Sequence, residues 1–545
     1  MFMVVLLFCF SVVGVLANNA CDALPSIDLG YEIHQAISFN ETGQYYNFSN
    51  IRYGRAPTGN LRFTAPQPPL VNRTAVQLGD AGVSCPQAFA VWYLCGKALQ
   101  AGTVNSTDEC DASLLPPADP SEREDCLFLD IMVPKRVFDN RHAQKSPVMV
   151  WFYGGGFAFG KKGGDGNPAG LIERSRLLDP NGHGVIFIQF NYRGGAFGFL
   201  SGPNLQANGS ANTGLLDQRL LLDWVQEKIH LFGGDARRVT VFGQSAGGGS
   251  ILHQITAYGG LRGRVPFNQA LLQSAGFPLM PGHHQQDGLF QTYLGLLNVS
   301  SIEEARRLPF GALQAANVKM VAASPQGAFT WAPTPDGHFV PALPNSLLSQ
   351  GSYDRSVKVM TGFNAHETLF FTSRANVNNS VFVESLETTF PTAPKNVVNF
   401  ISESLYPPVF NGSRPYDGFF TRAELALAEA AFTCNTYYLQ KALLGYASTF
   451  GYRFSIPPAV HGQDVPYTFY NGPSESVSND TIALALQNYI LSFAINGQPN
   501  NNASTRMPIY GEENFILDLN VTGISIIGDP NANDRCSWWQ KSLYY

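Results

Sequence analysis

The chain has 545 residues, of which 45% are hydrophobic and 12% aromatic, so it can bury a large core. Asp and Glu outnumber Lys and Arg by 41 to 35, which gives a formal net charge of −6 at pH 7. This mild charge and the lack of a basic run argue against a nucleic-acid partner.

The chain begins with a segment typical of a secretory leader. A largely apolar run covers residues 4–16, and the small residue Ala17 follows it. The pattern predicts a signal peptide over residues 1–17, cut after Ala17. A membrane anchor is the alternative, but this run is shorter than the ~20 residues that a spanning helix needs. The rest, 18–545, has no repeat, low-complexity tract or long linker, so we expect a single domain.

Sequons and cysteines also favour a secreted, extracellular and glycosylated product. Seven cysteines remain beyond the leader, and no C-x-x-C pair is present, which argues against zinc or dithiol redox chemistry. In an oxidising compartment most of them should be bridged, and the odd count leaves one unpaired or intermolecular. The candidate glycosylation sites are Asn40, Asn47, Asn72, Asn105, Asn208, Asn298, Asn378, Asn411, Asn479, Asn502 and Asn520.

Several short apolar runs, rich in β-branched and aromatic residues, predict buried strands. Their hydrophobicity is continuous rather than alternating, which indicates a parallel sheet covered by helices on both faces. A helical pattern over residues 213–235 lies between two of them, and this alternation favours an α/β doubly wound architecture. The runs cover residues 147–153, 184–193, 239–243, 269–276, 357–362 and 451–456.

Ser245 follows the third of these runs, in the sequence VTVFGQSAGGGS. A tight turn from strand to helix would crowd the residues two positions before and after the serine, and Gly243 and Gly247 occupy both positions. The motif G-x-S-x-G therefore predicts an exposed nucleophile at a helix N-terminus. An accidental match in a glycine-rich loop is the alternative, which the flanking strand and helix disfavour.

A serine needs a base, and the base needs an orienting acid. His461 lies in a loop beyond the last predicted strand, whereas His253 lies along the helix after Ser245 and should point away. Glu367 follows the strand ending near residue 361, between serine and histidine in chain order. Asp336 and Asp464 compete with it for the role of acid.

His366 and Glu367 also match the start of the zinc motif H-E-x-x-H. Phe370 stands where the second histidine would be, so that reading fails. No other metal site is predicted, and neither a metal nor an organic cofactor is expected.

A run of three glycines, 154–156, follows the first predicted strand and offers backbone N–H groups for an oxyanion hole. A phosphate-binding loop is the alternative, but no G-K-[ST] sequence follows. The glycine run, Ser245, Glu367 and His461 all follow predicted strands. Ligand sites of open α/β sheets lie at the carboxyl ends of strands, so these residues should meet there.

The sequence resembles the type-B carboxylesterase/lipase family, which includes cholinesterases and fungal lipases. The resemblance covers nearly the whole mature chain and rests on segments such as EDCLFLDIMVP, WFYGGGF, NYRGGAFGFL, FGGDARRVTVFGQSAGG, GFNAHE and HGQDVPYTF. It implies an α/β-hydrolase fold with a large, mostly parallel central sheet, helices on both faces and long insertions.

The resemblance also implies site residues and disulfides. It implies a triad of Ser245, Glu367 and His461, with Gly155, Gly156 and Ala246 as oxyanion donors. It implies bridges Cys85–Cys126, closing a loop over the site, and Cys434–Cys536 near the C-terminus. A further bridge, Cys95–Cys110, would brace that loop and leave Cys21 as the odd cysteine.

Two departures from the family pattern bear on substrate choice. The residue before the serine, often Glu in this family, is Gln244. The loop closed by Cys85 and Cys126 lacks the late tryptophan with which cholinesterases bind quaternary ammonium. The loop is either a mobile lid, as in fungal lipases of the family, or a fixed wall of the site.

We therefore expect a secreted serine carboxylic-ester hydrolase acting on a small-molecule or lipid ester. The alternatives are a lidded lipase or sterol esterase for long-chain esters, in transient contact with a lipid interface, and, more remotely, a non-catalytic adhesion or recognition protein. The sequence leaves acyl and alcohol specificity and the oligomeric state open.

Overall fold

The computed structural model describes residues 24–79, 82–100, 102–104, 109–276, 282–500 and 505–544. The predicted signal peptide, Cys21 and the sequon residues Asn105 and Asn502 lie outside these ranges.

Fourteen strands are present in the described part of the chain. In chain order they are β1 Ser26–Asp28, β2 Ile33–Gln35, β3 Ser38–Asn40, β4 Tyr45–Arg52, β5 Val76–Gln77, β6 Phe128–Pro134, β7 Ser146–Phe152, β8 Ile186–Phe190, β9 Gly234–Gln244, β10 Gln269–Gln273, β11 Lys358–Asn364, β12 Thr449–Phe454, β13 Phe515–Asn520 and β14 Gly523–Gly528.

The α-helices of the same ranges connect and cover these strands. They are α1 Val91–Gln100, α2 Lys135–Asp139, α3 Ala169–Leu178, α4 Gly195–Phe199, α5 Pro203–Gln206, α6 Thr213–Lys228, α7 Ala246–Ile255, α8 His283–Leu297, α9 Ile302–Ala305, α10 Phe310–Ala322, α11 Pro344–Ser349, α12 Asn379–Thr389, α13 Lys395–Phe400, α14 Phe419–Ala428, α15 Cys434–Leu443, α16 Val465–Thr468, α17 Asp480–Asn496 and α18 Asp534–Trp539.

Eleven strands form one mixed sheet in the order β14-β13-β12-β11-β10-β9-β7-β8-β6-β4-β3, and β1, β2 and β5 form a small second sheet. The centre, from β8 to β13, is parallel throughout. The pairs at the two ends are antiparallel. The prediction of an α/β-hydrolase fold with a mostly parallel centre is confirmed.

The six predicted strands correspond to β7–β12, and the predicted helix 213–235 begins as α6 and ends seven residues early. Every residue of β7, β8 and β10 is buried, which explains their unbroken hydrophobicity. The terminal strands were not predicted.

Helices cover both faces of the sheet. Phe242 in β9 packs against Phe469, the residue that follows α16, with ring centroids 6.2 Å apart. The next residue, Gly243, abuts Gly247 of α7. Because successive strand residues point to opposite faces, α7 and the α16 segment lie on opposite sides of the sheet.

Three disulfides join cysteines of the described ranges: Cys85–Cys126, Cys95–Cys110 and Cys434–Cys536, with Cα–Cα distances of 5.0, 5.5 and 5.2 Å. The first two anchor the segment 85–126, which contains α1. These are the pairings that the family resemblance implies, together with the additional bridge that would brace the loop.

Nine sequon asparagines fall within the described ranges, and none of them is buried. Within those ranges, no helix combines the length and apolar character needed to cross a membrane.

Candidate active site

Ser245 stands at the turn between β9 and α7 with backbone angles φ 58° and ψ −123°. A positive φ is unfavourable for a side-chain-bearing residue, so neighbouring contacts must hold it. Its N–H donates to the carbonyl of Gln273 at 3.0 Å, and its own carbonyl accepts from the N–H groups of Gly249 and Gly276 at 2.8 and 3.1 Å. These bonds fix the strained turn.

Steric crowding explains why glycine occupies positions 243 and 247, on either side of Ser245. A Cβ on Gly243 would lie 2.7 Å from the carbonyl oxygen of Phe152, and one on Gly247 would lie 2.0 Å from the same oxygen. Both distances are below any normal contact, so only glycine allows the turn to approach β7 this closely.

His461 and Glu367 are joined directly. Nδ1 of the imidazole lies 2.5 Å from Oε2 of Glu367, whose side chain is fully buried. The other carboxylate oxygen, Oε1, accepts from the backbone N–H of Asn364 at 2.6 Å. A bridge between His366 and Val460 aligns the loop after β11 with the loop after β12. The backbone thus fixes the acid against the base.

The second imidazole nitrogen contacts Gln244 instead of the serine. The amide Nε2 of Gln244 lies 3.1 Å from Nε2 of His461. Since Nδ1 faces a carboxylate and donates its proton, Nε2 is the acceptor of this bond. Among the described hydrogen bonds, none joins the Ser245 hydroxyl to His461. The structure therefore links His461 to Glu367 by a hydrogen bond but does not link Ser245 to His461.

Ser245 and His461 nevertheless line one cavity of about 590 Å³, together with Gly154, Gly155 and Gly156. A Cβ on Gly154 would lie 3.0 Å from the Cβ of Ser245, which places the glycine loop directly against the serine. Ala246, the first residue of α7, follows the serine. The predicted nucleophile, the predicted base and two predicted oxyanion donors, Gly155 and Gly156, therefore surround one space.

The competing candidates lie elsewhere. Asp464 is buried and accepts a hydrogen bond from the Tyr452 hydroxyl at 2.7 Å. This burial raises the pKa of its carboxyl group. Asp336 accepts from the N–H groups of a turn. His253 is buried within α7, and this burial lowers the pKa of its imidazole to about 3. None of the three contacts His461 in the described hydrogen bonds.

Sequence reasoning missed the rings that surround the site. The Phe371 and Phe432 rings pack on the imidazole of His461, with centroids 5.2 and 4.6 Å away, and Phe329 lies against Gly156. Aromatic residues carry no spacing signal of their own. The signal for Gln244 was its departure from the family pattern. In the described part of the chain, no group of three or more His, Cys, Asp or Glu residues is placed to hold a metal ion.

The model of the carboxylesterase family matches residues 34–538. This chain belongs to the carboxylesterase family. It is 42% identical over 561 residues to carboxylesterase patB of Aspergillus clavatus. The alignment covers 96% of this chain and 97% of the relative.

Other relatives and a solved structure agree with this membership. A secreted lipase of Arthroderma benhamiae is 31% identical over 77% of this carboxylesterase and 83% of its own length. The crystal structure of Aspergillus niger EstA superposes with a TM-score of 0.80 at 25% identity, over 96% of this chain and 98% of that one. The chain is a hydrolase of the carboxylesterase/lipase family that acts on esters.

Proposed function

We propose that this carboxylesterase hydrolyses carboxylic esters through a triad of Ser245, His461 and Glu367 and a covalent acyl-enzyme. The observation that carries the proposal is the 2.5 Å contact between His461 and the buried Glu367, at the edge of the cavity that Ser245 also lines. A buried carboxylate orients the imidazole and stabilises its cationic form during proton transfer.

In the acylation step, the Ser245 oxygen bonds to the ester carbonyl carbon and its proton passes to Nε2 of His461. The bond between carbonyl carbon and alcohol oxygen then breaks, and the alcohol leaves with that proton. Water attacks the acyl-enzyme, gives a proton to His461, and the carboxylic acid departs as the serine regains its hydrogen. The N–H groups of Gly155, Gly156 and Ala246 stabilise the negative oxygen in both steps.

The hydrogen bond from Gln244 must open for this cycle, because it occupies the lone pair that receives the serine proton. A rotation of the Gln244 side chain or of the imidazole, without backbone movement, would release it.

The decisive experiment follows release of p-nitrophenol from p-nitrophenyl acetate. Ser245→Ala should lower kcat by on the order of 10⁴ or more, while Ser250→Ala, a serine on the same helix, should retain activity. A fluorophosphonate should label Ser245 in the native protein, as seen by peptide mass. An unlabelled serine would favour the non-catalytic recognition protein.

The contacts of the segment 85–126 favour a fixed wall of the site over a mobile lid. Its Trp92 donates from Nε1 to the carbonyl of Ala328 at 2.7 Å, and the N–H of Ala88 donates to the carbonyl of Ala158 at 3.0 Å. Two disulfides anchor it as well. We therefore favour an esterase over a lidded lipase or sterol esterase. Activity on tripropionin should then show no sharp rise above its solubility limit, whereas such a rise would favour the lipase.

We also propose that the protein is secreted as a single glycosylated domain, residues 18–545, after removal of residues 1–17. The support is the leader pattern, the three disulfides and the exposure of sequon residues such as Asn72, Asn298 and Asn411. Expression in a fungal host should give a protein in the culture medium that begins at Asn18. Treatment with a glycosidase should lower its mass. An intracellular product that retains the leader would contradict this.

A further inference from the structure

Two spaces of very different size meet at Ser245. One is the cavity of about 590 Å³, which includes His461 in its lining. The other, about 40 Å³, is lined by Ser245, Gly156, Ala246 and the side chains of Phe329, Phe371, Leu427 and Phe432. The catalytic imidazole lines the large space, which we call the main chamber, and not the small one, which we call the side pocket.

The chemistry of the reaction assigns the two halves of an ester to these spaces. The leaving alcohol oxygen must take its proton from Nε2 of His461, so the alcohol lies on the imidazole side, in the main chamber. The carbonyl oxygen faces the N–H groups near Gly156 and Ala246. The remaining substituent on the carbonyl carbon, the acyl chain, then enters the side pocket.

From this arrangement we propose, building on the proposed function, that the enzyme selects esters of a short acyl group, acetyl or propionyl, with a bulky ring-containing alcohol. The side pocket, about 40 Å³, is far smaller than the main chamber of about 590 Å³, so it takes the smaller half of the ester, a short acyl group. The main chamber lies within the about 300–1,000 Å³ that is usual for small-molecule sites.

The walls of the side pocket are braced from behind. A Cβ on Gly156 would lie 2.3 Å from the Phe329 ring, and one on Gly276 would lie 2.1 Å from the Phe432 ring, so both rings press on backbone. The Phe371 and Phe432 rings contact each other with centroids 5.5 Å apart. Because interiors are closely packed, a longer acyl chain cannot displace these rings cheaply.

The main chamber offers aromatic surface to the alcohol. Phe159 contacts the rings of Phe89, Tyr93 and Phe329 at centroid distances of 4.8, 5.1 and 5.9 Å, and all four residues line the chamber. Aromatic groups prefer such offset and edge-on neighbours, so a ring in the alcohol gains contacts that an ethyl group lacks.

Leu427 is the partition that limits the acyl group. It and Phe371 line both the side pocket and a separate cavity of about 310 Å³ near α12 and α14. The Phe371 ring also packs on His461, whereas Leu427 does not line the main chamber that contains the imidazole, so Leu427→Ala leaves both ring contacts of the base in place. Removing its branched end should join the two spaces.

Two isomeric esters test the assignment with the same atoms. In 2-phenylethyl acetate the ring belongs to the alcohol, and in ethyl phenylacetate it belongs to the acyl group. For the native enzyme, kcat/KM from acid release in a pH-stat should be about 100-fold higher for 2-phenylethyl acetate. Equal rates, or a preference for ethyl phenylacetate, would overturn the assignment without affecting the proposed triad.

Leu427→Ala tests the partition. It should reduce the ratio between the two isomers by at least about tenfold, mainly through a gain on ethyl phenylacetate. Val381→Ala is the matched control, since Val381 lines the 310 Å³ cavity but not the side pocket, and its ratio should stay at the native value. An unchanged ratio in Leu427→Ala would refute the partition.

Failure of the proposed function is distinguishable from these results. A native protein that hydrolyses neither isomer nor p-nitrophenyl acetate removes the proposed function, and this assignment with it. A protein that hydrolyses p-nitrophenyl acetate through Ser245 but prefers the bulky acyl group keeps the proposed function and loses only this assignment.

Discussion

The side-chain amide of Gln244 donates to Nε2 of His461 at 3.1 Å, the nitrogen that receives the proton of Ser245 in the proposed mechanism. Gln244 is therefore placed to act on the base directly. Its donated hydrogen bond fits the imidazole tautomer with Nδ1–H toward Glu367, which the proposed mechanism needs, and it occupies the lone pair of Nε2. A neutral amide does this without stabilising the imidazolium.

Replacing this amide by a carboxylate should change the pH profile. In Gln244→Glu, a negative charge beside Nε2 favours the protonated imidazole, so the acidic limb of kcat/KM should move to higher pH. A neighbouring charge of opposite sign shifts such limbs by about 1–3 units in general. The measurement is kcat/KM for p-nitrophenyl acetate between pH 5 and 9.

Gln244→Met is the control for this prediction, since it removes the amide donor and adds no charge. The acidic limb should then move less than in Gln244→Glu, because this variant loses only one hydrogen bond to the neutral imidazole. The other carboxylates near the imidazole, Glu367 in contact and Asp464 behind it, are unchanged in both variants. If Gln244→Met moves the limb as far as Gln244→Glu, the charge explanation is wrong.

Glu367 and Asp464 should separate into an orienting and a structural carboxylate. Glu367→Gln should lower kcat by about 10³–10⁴, because the amide no longer stabilises the imidazolium. Asp464→Asn should lower kcat less than tenfold but reduce the thermal midpoint, because buried donors from Tyr452, Gln273 and Asn364 converge on this side chain. Steady-state kinetics and thermal unfolding of both variants decide. A large loss of kcat in Asp464→Asn at an unchanged midpoint would contradict the assignment.

The central fold was predictable from sequence because its strands are buried on both faces. The apolar run of β7 is too short for a buried helix, so it indicates a buried strand. The terminal strands carry weaker signals. Residues of β14 are mostly exposed or half-buried, and its pairing with β13 depends on tertiary contacts that no local pattern encodes.

The proximity of the candidate residues Ser245, Glu367 and His461 was predictable because each follows a strand. The side pocket was not. Phe432 lies in a π-helical turn, Glu429–Thr433, and reaches the site only because Gly276 lets its ring approach the backbone. Likewise, the contact of Gln244 with His461 depends on the path of the loop after β12. Such distant packing relationships leave no periodic trace in the sequence.

The glycines that flank Ser245 allow a stability test with a matched pair of variants. Gly247→Ala should destabilise the fold by about 1–3 kcal/mol and lower activity, because its Cβ would overlap the Phe152 carbonyl oxygen. Gly288→Ala, in the middle of α8 with open space around it, should be neutral or stabilising by up to about 1 kcal/mol. Urea unfolding of both variants provides the measurement. Equal destabilisation of the two variants would show that the steric explanation for Gly247 is wrong.

His253 should make stability depend on pH below neutrality. Burial lowers the pKa of its imidazole to about 3 in the fold, while an unfolded chain would protonate it near pH 6.5. Between these values the unfolded state binds the extra proton, so stability falls as pH falls through this window. From pH 7 to pH 5, this histidine should cost about 2 kcal/mol. Urea unfolding at both pH values measures the loss of unfolding free energy between pH 7 and pH 5. This loss should be smaller in His253→Gln than in the native protein by that amount. An identical loss in both proteins would show that His253 is not the group responsible.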